Sequence, residues 1–86
     1  MLTEETEQRL AARLAELRVQ RGWSLDELAT ATGISRASLS RIERGETSPT
    51  AALLNRLCVA YGLTMSRLLS EVEETVNLLL TPEQQP

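Results

Sequence analysis

Histidine is absent from this 86-residue sequence, and cysteine occurs once, as Cys58. A lone thiol excludes an intramolecular disulfide, and without histidine the ligand sets of zinc sites and the Cys/His pair of a nucleophilic site are missing. A single cysteine among the apolar residues of a helix reads as a core filler. Aromatic residues are limited to Trp23 and Tyr61, and valine and isoleucine total six. The sequence has no internal repeat, no glycine-rich phosphate loop and no paired catalytic acids. Ser35, Ser38 and Ser40 have no base beside them and are no better placed as nucleophiles. No run approaches the length of a membrane span, and the N-terminus has neither a basic lead nor an apolar signal core. These absences argue against an enzyme, a metal site, a bound cofactor and a membrane protein, and the chain is expected to be cytoplasmic.

What is present is leucine, 16 residues of it, within an apolar content of 42%. With so few β-branched residues this is the composition of a small all-helical protein. A chain of this length buries about 60 to 65% of its unfolded surface, which allows one modest core. The formal charge is -3, but unevenly spread. Residues 1–8 carry three glutamates and residues 68–86 carry four, whereas residues 9–67 hold all nine arginines against five acids. A basic middle between acidic ends leaves a polyanionic partner open.

Helix signals divide the chain into five segments. Leu10, Leu14 and Leu17 recur at helical spacing behind Thr3, Glu4 and Glu5, and Gly22 ends this first helix. In WSLDEL, Ser24 and Glu27 form a capping box, with Trp23 and Leu28 at staple positions, so a second helix starts at Leu25. Gly33 ends it, and Ser35 caps a third, with Ile34 and Leu39 again at staple spacing. Two short helices joined through a glycine make a helix-turn-helix pattern. Gly45 stops the third helix. Ser48 and Pro49 suit the cap and first position of a fourth, carrying Leu53, Leu54, Leu57, Cys58 and Tyr61 up to Gly62. Thr64 caps a fifth helix with Met65, Leu68 and Leu69. The following EVEETVNLLL either extends that helix or, through VNLLL, pairs as a strand or meets a partner. TPEQQP reads as linker or tail.

The segment SRASLSRIERGE, residues 35–46, carries the chemistry. At about 100° per residue, Leu39 and Ile42 point one way with Ser38 near them, and Arg36, Ala37, Ser40, Arg41 and Arg44 fill the opposite arc. Most charged helix faces are simply solvated and mix both signs at i, i+4. This one sets Arg36, Ser40 and Arg44 in a row without an acid, and Ala37 and Ser40 are small enough to allow close approach. That suits the major groove, where arginine donates two hydrogen bonds to guanine O6 and N7.

Residues 14–69, through LAELRVQRGWSLDELATATGISRASLSRIERGETSPT and LLNRLCVAYGLTMSRLL, closely resemble the helix-turn-helix domain of the Cro/CI, or XRE, regulator family. The resemblance implies an all-α, five-helix, lambda-repressor-like DNA-binding domain over residues 1–70, with residues 71–86 as linker or C-terminal tail. It implies a regulator, expected to be a repressor, whose third helix enters the major groove of double-stranded DNA. The usual assembly is a homodimer on a pseudo-palindromic operator with half-sites about 34 Å apart. Matched by position, Arg36, Ala37, Ser40 and Arg41 face bases. Ser24 and Leu25 face a phosphate at the start of the second helix, where free amides and the dipole favour an anion. Ser35, Arg44, Thr47 and Ser48 are expected as further backbone contacts. Arg18 and Glu43 match a pair that bridges the first helix to the third. Leu25 and Arg36 stand where many relatives carry glutamine, so adenine-reading amide contacts do not transfer, and Glu46 replaces a base.

Three or four base-facing side chains per monomer are few against genomic competition, so a dimer is expected, with the last helix and VNLLL as candidate contacts. Many relatives join this domain to a sensor domain, often a cupin-type barrel, and the tail resembles the start of such a linker. The alternative reading is an antitoxin or protein-interaction module whose arginine face meets an acidic protein.

Overall fold

The computed structural model describes the backbone of residues 4–80 and the side chains of residues 4–73. Five α-helices follow one another: α1 (Glu4–Gln20), α2 (Leu25–Thr32), α3 (Arg36–Glu43), α4 (Ala51–Tyr61) and α5 (Met65–Leu80). Every described element is a helix.

The bounds follow from the caps. Ser24 Oγ accepts from Glu27 N at 3.1 Å while Ser24 N donates to Glu27 Oε1 at 2.8 Å, which completes the capping box of α2. Ser35 Oγ accepts from Ser38 N at 3.2 Å and starts α3, and Thr64 Oγ1 accepts from Arg67 N at 3.0 Å and starts α5. The start of α4 differs from expectation. Its cap is Thr50, whose Oγ1 accepts from Leu53 N at 3.2 Å, so Ser48 and Pro49 lie outside the helix. Ser48, Pro49 and Thr50 all suit a helix start locally. The later one is used, and the helix from Ala51 buries Leu54, Leu57, Cys58 and Tyr61.

The helix-turn-helix link is built from three residues. Thr32 Oγ1 donates to Leu28 O at 2.8 Å and accepts from Ile34 N at 3.2 Å. Gly33, at φ 75°, returns its N–H to Ala29 O at 2.8 Å, a left-handed geometry that side chains resist. Ile34 then drops into the core at 5% exposure and fixes the angle at which α3 leaves.

One core draws on all five helices: Leu10, Leu14 and Leu17 from α1, Leu28 from α2, Leu39 and Ile42 from α3, Leu54, Leu57, Cys58 and Tyr61 from α4, and Leu68 and Val72 from α5. Helix α1 packs on α3 and α5, and α2 on α3 and α4. Helix α5 continues without a break past residue 70, and Val72 belongs to the core. The VNLLL segment lies within α5 as backbone, and its side chains fall outside the described residues, as does the whole of TPEQQP.

Candidate nucleic-acid interface

Helix α3 is two-sided because its apolar residues are spaced by three. Leu39 and Ile42 are buried at 1% and 3% exposure and anchor the helix. Arg36, Ala37, Arg41 and Arg44 stand exposed on the other side, with Ser40 half-buried between them. Together with Leu25 at the first position of α2, these five residues line a single shallow groove. The expected base-facing residues Arg36, Ala37, Ser40 and Arg41 are therefore contiguous, and two of the expected backbone contacts, Leu25 and Arg44, share their concavity. Ser24 and Ser35 are exposed at the N-terminal ends of α2 and α3, and Thr47 and Ser48 are exposed in the loop after α3.

Not every one of these groups is idle. Ser24 Oγ is engaged by Glu27 N, and Ser35 Oγ lies 2.9 Å from Ser38 Oγ while it also caps α3. At the head of α2, Glu27 N is taken by the cap and Leu28 N by Ser24 O, which leaves the amides of Leu25 and Asp26 as the ones free to meet an anion. The same turn carries two acids, Asp26 and Glu27, which also use the positive end of the helix.

The arginine row is not free of acid once the fold closes. Within α3 the face carries none, but Asp26 of α2 places Oδ1 3.5 Å from Arg36 Nε, and Glu46 places Oε2 3.3 Å from Arg44 Nε. Arg41 has no ion-pair partner among the described residues. The acids come from another helix and from the loop, so a helical wheel drawn on α3 alone omits them.

Beneath the groove α3 is tied to α1. Arg18 Nε approaches Glu43 Oε2 at 2.9 Å and Oε1 at 3.1 Å, and Arg18 Nη1 donates to Trp23 O at 2.9 Å. Glu43 is only 9% exposed, so this pair is largely shielded from water, unlike those of Arg36 and Arg44. Its hydrogen bond to Glu43 raises the Arg18 pKa above the ordinary arginine value against the opposing effect of burial. Nearby, Tyr61 stacks on Trp23 with ring centres 5.7 Å apart, and Arg21 covers both rings and donates to the Tyr61 carbonyl. Burial pushes the Tyr61 phenol up to about 12, with Glu43 adding to the shift and Arg18 and Arg21 opposing it. Burial likewise pushes the Cys58 thiol up, which suits packing rather than reactivity.

Sequence reasoning missed Asp26 as a neighbour of Arg36, Thr50 as a cap, and Arg21 as a lid on two rings. Thr50 carried the same capping signal as Ser48. Asp26 and Arg36 carried none, because their meeting depends on the angle set by the turn. Among the described residues no cluster suited to a metal ion occurs, and no helix is long and apolar enough to cross a membrane.

A capped helix pair with a glycine turn, standing on a five-helix core and presenting an arginine-lined groove, defines a helix-turn-helix domain. The family described as a helix-turn-helix domain matches residues 9–71, and the chain belongs to that family, in its Cro/CI, or XRE, branch. It is 42% identical over 76 residues to the HTH-type transcriptional regulator SutR of Escherichia coli, covering 88% of this chain and 43% of SutR. It is 45% identical over 65 residues to the regulator DdrOP3 of Deinococcus deserti, covering 76% of this chain and 50% of that one. The crystal structure of the clp gene regulator ClgR from Corynebacterium glutamicum superimposes with a TM-score of 0.77 at 32% identity, over 92% of this chain and 84% of that one. The chain thus spans half or less of the length of SutR and DdrOP3.

Proposed function

We propose that the chain is a sequence-specific DNA-binding transcriptional regulator that lays α3 in the major groove. Arg36, Ala37, Ser40 and Arg41 read base edges, and Ser24, Leu25, Ser35, Arg44, Thr47 and Ser48 hold the phosphate backbone. The observation that carries this reading is the groove in which Leu25 of α2 meets the exposed or half-buried Arg36, Ala37, Ser40, Arg41 and Arg44 of α3. A forked guanidinium matches guanine O6 and N7, and small neighbours such as Ala37 let the helix sit deep enough to reach them. Membership of a family whose relatives are named as transcriptional regulators supports the same conclusion.

The active form is a homodimer on a pseudo-palindromic operator. A single α3 supplies base contacts of about 1 to 3 kcal/mol each, too few to compete with the non-specific sites of a genome, and a twofold arrangement doubles them. Occupation of such a site blocks transcription without further contacts, so repression is the simplest outcome. SutR and DdrOP3 are each at least about twice as long as the part matched here, which leaves room in those proteins for a further domain; a sensor domain following α5 is part of this proposal.

Selection of bound duplexes from a random pool tests the proposal. Enrichment of a palindromic motif with half-sites one helical turn apart is expected. Failure to enrich any sequence at low salt overturns it, and binding to an acidic protein instead establishes the interaction-module reading.

A further inference from the structure

Asp26 stands at the edge of the arginine groove, in the first turn of α2, with Oδ1 3.5 Å from Arg36 Nε. Both side chains are more than half exposed and no hydrogen bond joins them, so what acts between them is the attraction of close opposite charges, a bias rather than a fixed contact. Its position on the guanidinium matters. A carboxylate at Nε occupies one side of the planar fork and leaves both terminal nitrogens for another partner. Those two nitrogens can satisfy guanine O6 and N7 together. An arginine restrained in this way loses less side-chain freedom when it meets a base. The same carboxylate repels a phosphate brought close to the fork.

We infer that Asp26 is a positioning residue for Arg36: it holds the guanidinium for one base pair in the major groove and disfavours its use on the DNA backbone. This rests on the DNA-binding reading above. Arg41 is an internal control, since it shares the groove but has no acid partner among the described residues. Asp26 has a second role that must be separated from this one, because an acid in the first turn also favours the helix dipole.

The test compares the 86-residue chain with its Asp26→Asn and Asp26→Glu variants, first by selection from a random duplex pool and then by fluorescence anisotropy on the enriched duplex, its single-pair variants and a random duplex. The base pair read by Arg36 is the one whose preference Arg36→Ala relaxes. At that pair Asp26→Asn is expected to lower discrimination about three- to tenfold, at or below the lower end of what one lost bidentate contact costs. Preference at other pairs stays as it was, and affinity for random duplex rises about twofold as repulsion is removed. Asp26→Glu keeps the charge and retains most of the preference. In an Arg36→Ala background Asp26→Asn has no further effect at that pair. A purely structural role would shift the melting temperature and weaken all duplexes alike. An enriched motif that Asp26→Asn reads as sharply as the parent chain overturns the inference alone, whereas a parent chain that enriches no motif overturns the DNA-binding reading and the inference with it.

Discussion

Tyr61 is packed against Trp23 with almost no exposure, and its hydroxyl finds no partner among the described side chains. A phenol held in this way resists ionisation, and its pKa lies at about 12. The unfolded chain ionises at about 10, so the folded state binds the proton more tightly. The corresponding stabilisation is complete below pH 10 and is lost as pH rises through 12, a loss of about 2 to 3 kcal/mol for a shift of this size. Urea unfolding between pH 9 and 12 is expected to show this decline. Tyr61→Phe removes most of it, leaving a smaller slope of the same sign from Cys58, whose thiol is also pushed up by burial. Arginine does not titrate in this range. A second residue-scale prediction concerns Glu43. Glu43→Gln keeps the shape but removes the charge that meets Arg18 at 2.9 Å, leaving that guanidinium partly shielded and poorly compensated. A loss of about 1 to 3 kcal/mol in urea unfolding is expected, and an unchanged midpoint would mean that the pair is solvated in practice.

At the scale of elements, the ends of α3 decide how it is presented. Its start is a serine cap and its end a glycine turn, in which Gly45 N reaches Ile42 O at 3.1 Å and Glu46 N reaches Arg41 O at 2.9 Å. Gly45 holds φ at 74°, and a Cβ there would meet the Gln8 side-chain amide at 2.8 Å. Gly45→Ala is expected to cost about 1 to 2 kcal/mol in thermal unfolding, chiefly from the left-handed backbone. Gln8→Ala added to it restores little, because the end of a flexible glutamine can swing aside. Full rescue would locate the cost in the contact instead. These helix ends were legible in the sequence because caps and glycine turns are local chemistry: Ser24 with Glu27, Ser35, Gly33, Gly45, Gly62 and Thr64 each act over a few residues. Thr50 was not distinguished from Ser48 because both hydroxyls satisfy the same capping rule two residues apart, and Pro49 suits the first helical position after Ser48. The extent of α5 was open for a similar reason, since its apolar spacing fits more than one use.

For the whole molecule, the two faces of α3 were legible because Leu39 and Ile42 share a helical period that leaves the arginines outward. The electrostatics of the groove were not, since a pairing such as Asp26 with Arg36 spans two helices and depends on the turn between them. A chain of net charge -3 binds a polyanion only if its positive groups are gathered on one side, and three of nine arginines border this groove. Their roles differ by position. On the proposed reading Arg36 and Arg41 meet base edges, so Arg36→Ala and Arg41→Ala are each expected to weaken operator binding by about 1 to 3 kcal/mol and to relax preference at one base pair. Arg44 lies at the C-terminal end of α3 beside Glu46, and on the same reading it meets the DNA backbone. Arg44→Ala therefore weakens operator and random duplex in similar proportion and lowers the slope of affinity against salt by about one ion. Anisotropy titrations over a range of salt concentrations separate the two kinds of loss. Equal, small losses on every duplex from all three variants would mean that α3 contributes charge without reading sequence, and the division of the groove into base-reading and backbone-holding arginines would be wrong.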